Sequence, residues 1–121
     1  MAHVAPTGPV GVVGYCWGGR LAWLSAASLQ IAAAVGYYGA MINENLSAVP
    51  ACPVLLHFGD ADHAIPLSAV EEISAAYPDL PIHIYPAGHG FNCDVRDSYH
   101  EDSATLALER TLAFLEENLN P

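Results

Sequence analysis

The chain has 121 residues, 53% of them apolar, with thirteen acidic residues against three arginines and no lysine, for a formal charge of −10. That length holds one domain with one core. The acidity argues against nucleic acid or an anionic membrane as a partner, because both need a cationic footprint. The short, neutral N-terminus, broken by Pro6 and Pro9, does not read as a signal peptide, and no apolar run is long enough to span a bilayer. Cys16, Cys52 and Cys93 are odd in number and follow no metal-binding or disulfide spacing, so a reducing cytoplasm is the expected home.

Residues 1–9 read as an irregular lead-in. Val10 to Tyr15 is a continuous apolar run, the pattern of a parallel strand covered on both faces. It ends in Gly14-Tyr15-Cys16-Trp17-Gly18-Gly19, and a helix is expected from Gly18 to about Ser28. Strand, G-x-C-x-G and helix in succession are the context of a nucleophile elbow, here carrying cysteine. Gly14 and Gly18 supply the small residues a strained turn needs, and the helix N-terminus favours a thiolate at Cys16.

A second buried strand is expected from Ile31 to Tyr38, then a loop from Met41 to Pro50, then a third strand from Pro53 to Phe58 that ends in Gly59-Asp60-Ala61-Asp62. Ser68-Ala69-Val70-Glu71 has the form of a capping box and predicts a helix that runs to Tyr77 and stops at Pro78. A fourth strand, Pro81 to Tyr85, leads into Pro86-Ala87-Gly88-His89-Gly90. The last helix is expected from about Ser98 to Asn118, with Ala104, Leu108, Leu112, Leu115 and Leu119 on one of its faces at helical spacing. Alternating strands and helices predict an α/β fold of about four parallel strands, with right-handed crossovers and helices on both faces.

In such sheets the chemistry sits on loops at the carboxyl ends of the strands. Cys16 follows the first strand, Asp62 the third and His89 the fourth. Nucleophile, acid and histidine in that order match the chain order of the α/β-hydrolase triad. Asp60 competes for the acid role, but Asp62 lies later in its loop, where the chain has room to bring a carboxylate beneath His89. Cys52 reads as structural. His57 and His83 fall within strands and read as packed or hydrogen-bonded, while His3, His63 and His100 read as solvated. The glycines never give G-x-G-x-x-G, and a P-loop is impossible without lysine, so neither dinucleotide nor phosphate binding is expected.

Gly14-Tyr15-Cys16-Trp17-Gly18-Gly19, His57-Phe58-Gly59-Asp60-Ala61-Asp62 with Ile65-Pro66, and Ala87-Gly88-His89-Gly90-Phe91-Asn92 together resemble the dienelactone hydrolase family of α/β-hydrolases, along nearly the whole chain. The resemblance implies Cys16 as nucleophile, Asp62 as triad acid and His89 as general base. It further implies hydrolysis of small esters or lactones without a cofactor or metal. The backbone N–H of Trp17 is the expected oxyanion donor, and Tyr15, Tyr38, Phe91, Cys93 and Arg96 are the candidate substrate contacts. Dienelactone-specific members carry an arginine shortly after the histidine. Asn92, Cys93 and Asp94 stand there instead, and Arg96 is the first arginine beyond, which points to a general ester or lactone substrate.

Family members are roughly twice as long, with the elbow near the middle of the chain. Residues 1–121 therefore read as a single, truncated domain, the C-terminal half of an α/β-hydrolase fold. On that reading Val10 to Val13 becomes an exposed apolar edge that a second copy, or a companion chain supplying the N-terminal half, would cover. The alternative role is a non-catalytic assembly or binding module.

Overall fold

A computed structural model describes residues 8–93 and 98–119. Four parallel strands form one sheet in chain order: β1 (Gly11–Tyr15), β2 (Ala33–Tyr37), β3 (Val54–Gly59) and β4 (Ile82–Tyr85). Helix α1 (Trp17–Ser28) links β1 to β2, α2 (Leu67–Ala76) links β3 to β4, and α3 (Glu101–Leu119) follows β4. A single 3₁₀ turn, Ile42–Glu44, forms within the stretch expected to be loop.

The register explains how the helices divide between the two faces. Tyr15, Tyr37, His57 and His83 are aligned across neighbouring strands, so their side chains share one face. Thr111 of α3 reaches Tyr37 and His57, and α3's Leu115 and Leu119 stand over Gly11, so α3 covers that face. On the other face α1 lies directly on β1 and β2. A Cβ on Gly14 would fall 1.9 Å from the Gly18 carbonyl oxygen, and one on Gly19 would fall 2.8 Å from the Cα of Gly39. Backbone approach of that kind admits only glycine. Trp23 of α1, fully buried, packs edge-on against Tyr77 beyond α2 and donates its indole N–H to the Asn45 carbonyl at 3.0 Å.

β2 and β3 are buried along their whole length, as continuous apolar runs require. β1 is different. It closes one side of the sheet, and Val13 and Tyr15 are 38% and 45% exposed, so the strand is an edge and not covered on both faces.

Three local expectations are corrected. The capping box does not form: the N-cap of α2 is Pro66, two residues before Ser68, and Ser68 stands inside the first turn without a capping bond. Helix α3 is capped by His100, expected to be solvated. Its Nδ1 accepts the Ser103 N–H at 3.2 Å and lies 2.7 Å from the Ser103 hydroxyl. The buried stripe of α3 runs through Ser103, Ala104, Ala107 and Thr111, while Leu108 and Leu112 face outward. Small residues let α3 sit close to the sheet, where the Thr111 hydrogen bonds and the packing of Leu115 and Leu119 over Gly11 share in seating it.

Candidate active site

Cys16 occupies the turn between β1 and α1, with φ of 55° and ψ of −119°. A non-glycine residue there is strained, and such strain persists only where surrounding structure enforces it. Here the Cys16 N–H donates to the Tyr37 carbonyl at 3.0 Å, and its own carbonyl accepts the Gly19 N–H at 3.0 Å. Gly14 beneath the turn has no room for a side chain, whereas a Cβ on Gly18 would meet nothing within 4 Å. The steric requirement expected at both glycines therefore falls on Gly14. Trp17 opens α1, where the first N–H groups have no acceptor inside the helix, and its side chain is 65% exposed.

The loops after β3 and β4 bring the acid and the histidine together. His89 Nδ1 lies 2.7 Å from Asp62 Oδ2. The other carboxylate oxygen, Oδ1, accepts the N–H groups of Ala64 at 2.8 Å and Ile65 at 3.1 Å. Asp62 is buried and Asp60 is exposed, so geometry separates the two candidates. An ionised carboxylate only accepts hydrogen bonds, so Asp62 favours the His89 tautomer with its proton on Nδ1 and the lone pair on Nε2. Gly59 makes this possible: a Cβ there would stand 2.2 Å from the Ala87 carbonyl oxygen, where the two loops cross. The Ser98 hydroxyl donates to the His89 carbonyl and ties the histidine loop down from beyond.

The expected substrate contacts divide. Tyr15 is exposed at the β1 end, with its ring centre 4.6 Å from that of Tyr37. Cys93 is half-buried after the His89 turn. Phe91 is fully buried against Tyr38 and Tyr85, so it supports the histidine loop from inside the core and lines no open wall. Tyr38, 1% exposed, is turned inward in the same way, its ring centre 5.2 Å from that of His89. Arg96 lies outside the described residues. Cys52 lies at the opposite end of the sheet, in an apolar cleft of about 460 Å³ bounded by Val49, Tyr77 and Phe114. Burial raises its thiol.

Behind the site runs a buried polar chain that sequence reading missed. Arg110 donates to the Tyr85 hydroxyl at 3.2 Å, that hydroxyl lies 2.7 Å from His57 Nδ1, and His57 Nε2 lies 2.9 Å from the Thr111 hydroxyl. Thr111 in turn meets the Tyr37 hydroxyl at 2.9 Å. Burial, then His83 and Arg110, hold His57 down at about 3, and burial pushes Tyr37 up to about 12. A neutral His57 carries one ring proton, so it donates to one of these two hydroxyls and accepts from the other. The available signal was the shared strand position of Tyr37 and His57.

Among the described residues, no three His, Cys, Asp or Glu side chains converge as metal ligands, and no helix is long and apolar enough to cross a membrane. The family model described as the dienelactone hydrolase family matches residues 2–119. Carboxymethylenebutenolidase of Pseudomonas putida is 42% identical over 89% of this chain and 48% of its own length. Carboxymethylenebutenolidase 1 of Cupriavidus pinatubonensis is 37% identical over 89% and 48%. The crystal structure of a candidate dienelactone hydrolase from Klebsiella pneumoniae superposes with a TM-score of 0.76 at 37% identity, over 85% of this chain and 50% of that one. The chain thus spans about half the length of the relatives it matches.

Proposed function

The chain belongs to the dienelactone hydrolase family, and from that premise we propose that it hydrolyses small carboxylic esters or lactones through Cys16, His89 and Asp62. The observation that carries the reading is the Asp62–His89 pair at 2.7 Å, presented on the same sheet edge as a cysteine held at positive φ. All three residues follow the carboxyl ends of strands, which supports the reading of one site.

The steps follow from the residues. His89 Nε2 takes the proton of Cys16, and the sulfur attacks the carbonyl carbon of the ester. The N–H of Trp17, at the start of α1, faces the developing oxyanion, where each such donor contributes on the order of 10²–10³ in rate. The carbonyl re-forms as the C–O bond breaks, His89 returns its proton to the leaving alkoxide, and an acyl thioester remains on Cys16. Water, deprotonated by His89, attacks the thioester. The acid leaves and the thiol is restored. Asp62 holds the imidazole and stabilises its cation throughout. No cofactor enters these steps, and the cytoplasm is the setting we assign.

The exposed edge supports a second element of the reading. Val13 and Tyr15 leave apolar surface uncovered on β1, the strand that leads into the elbow. We assign that edge to a second copy or to a companion chain carrying the remaining half of the fold, which would also bring the second oxyanion donor. A role as a non-catalytic assembly module is the competing outcome. Acid-quenched mass spectrometry after mixing with a small activated ester separates them. The hydrolase reading expects the acyl group on the Cys16 peptide, and a folded sample without acylation there rejects it.

A further inference from the structure

Tyr38 stands between the cysteine turn and the histidine loop with no part in the steps above. It follows β2 with φ of 38°, a conformation rare for a bulky side chain. The backbone is held on both sides. Its N–H donates to the His57 carbonyl at 2.7 Å, and the preceding carbonyl, of Tyr37, accepts the Cys16 N–H at 3.0 Å. Gly39 after it has no space for a Cβ, which would lie 2.9 Å from the Gly19 carbonyl carbon. Strain enforced this thoroughly points to a purpose for the side chain.

The side chain has one. Its ring, 1% exposed, is centred 5.2 Å from the His89 ring at 60°, and 5.1 Å from Phe91. Burial first, and Cys16 second, raise the phenol above its ordinary value, so hydroxyl and thiol share one electrostatic neighbourhood.

We propose that Tyr38 is a positioning residue, whose ring backs the His89 imidazole from the Phe91 side, so that Nε2 stays in register with the Cys16 sulfur. The inference rests on the reading of Cys16 and His89 as the working pair. A thiolate–imidazolium pair weakens as its partners separate, and the reactive thiolate fraction falls with it. The other titratable groups facing this junction are Asp62 on His89, and Tyr15 and Cys93 on Tyr38.

The test is the rate of iodoacetamide alkylation at each cysteine from about pH 5 to pH 9, read by mass spectrometry. In the unaltered chain Cys16 should outpace Cys52 and Cys93 at the acid end. Tyr38→Phe, which keeps the ring, should stay within about twofold, and Tyr38→Met should lose about tenfold at pH 6. Phe58→Leu, a core change in β3, should leave the Cys16 rate in place and exclude general loosening as the cause. Labelling of Cys52 reports folding, and Tyr38→Leu replaces the Met variant if that one unfolds. A fast Cys16 that Tyr38→Met leaves unchanged, or that Phe58→Leu slows equally, overturns the inference alone. A slow Cys16 in the unaltered chain overturns both it and the Cys16–His89 reading.

Discussion

Asp62 divides its carboxylate between two tasks: Oδ2 meets His89 Nδ1 at 2.7 Å, while Oδ1 accepts the N–H groups of Ala64 and Ile65. The loop that carries the acid is thus folded around the acid itself, which leaves the residue little freedom to turn away from the histidine. The arrangement separates orientation from fold. In Asp62→Asn the amide oxygen still accepts both backbone N–H groups, but its NH₂ now faces Nδ1 and drives the imidazole proton to Nε2. The variant should keep its thermal midpoint within a few degrees and lose about 10³–10⁴ in kcat, as wrong-tautomer variants do. Paired melting curves and ester kinetics check this. Loss of both stability and activity would mean the carboxylate is structural.

The two glycines of the elbow should behave differently. Gly14→Ala drives a Cβ into the Gly18 carbonyl and should prevent folding or cost at least about 3 kcal/mol, in the range of the severest single substitutions. Gly18→Ala meets open space within the first turn of α1, and it should be neutral or add about 0.5–1 kcal/mol from helix propensity. Urea unfolding of both variants decides. Equal destabilisation would show that the turn is packed in some other way.

His57 predicts a direction for acid sensitivity. Its folded value, about 3, lies below the ordinary imidazole value of 6.5. Above pH 6.5 both folded and unfolded states are neutral at this position, and stability is at its full value. Between 6.5 and about 3 only the unfolded state takes the proton, so stability falls with falling pH, on the order of 1.4 kcal/mol per pH unit at the steepest. His57→Gln offers Tyr85 and Thr111 one acceptor and one donor group without titrating, and it should flatten that slope. Unfolding measured from pH 7 to 4 provides the comparison, and an unchanged slope in the variant would assign acid sensitivity elsewhere.

The order of strands and helices was legible in the chain because continuous apolar runs and glycine-marked turns report backbone directly. Cys16, Asp62 and His89 were legible as candidates because each follows a strand at the catalytic edge. What the sequence concealed depends on how faces meet. Of the helically spaced stripe on α3, Ala104 is buried and Leu115 and Leu119 pack on the sheet, but Leu108 and Leu112 face outward, and the partner of the buried His57 is Thr111. Phe91 and Tyr38 looked like pocket residues from their neighbours in sequence. Both turn inward, and only the contacts of the Tyr38 ring with His89 and Phe91 reveal it. Ser68 had the pattern of a cap, but Pro66 already started the helix.

The central claim is that Cys16 carries a hydrolytic reaction, and steady-state hydrolysis of a small chromogenic ester tests it most directly, the unaltered chain beside Cys16→Ala. The account predicts saturable turnover that disappears in the variant while its fold remains. A folded chain that shows no turnover, or turnover that survives Cys16→Ala, would contradict it.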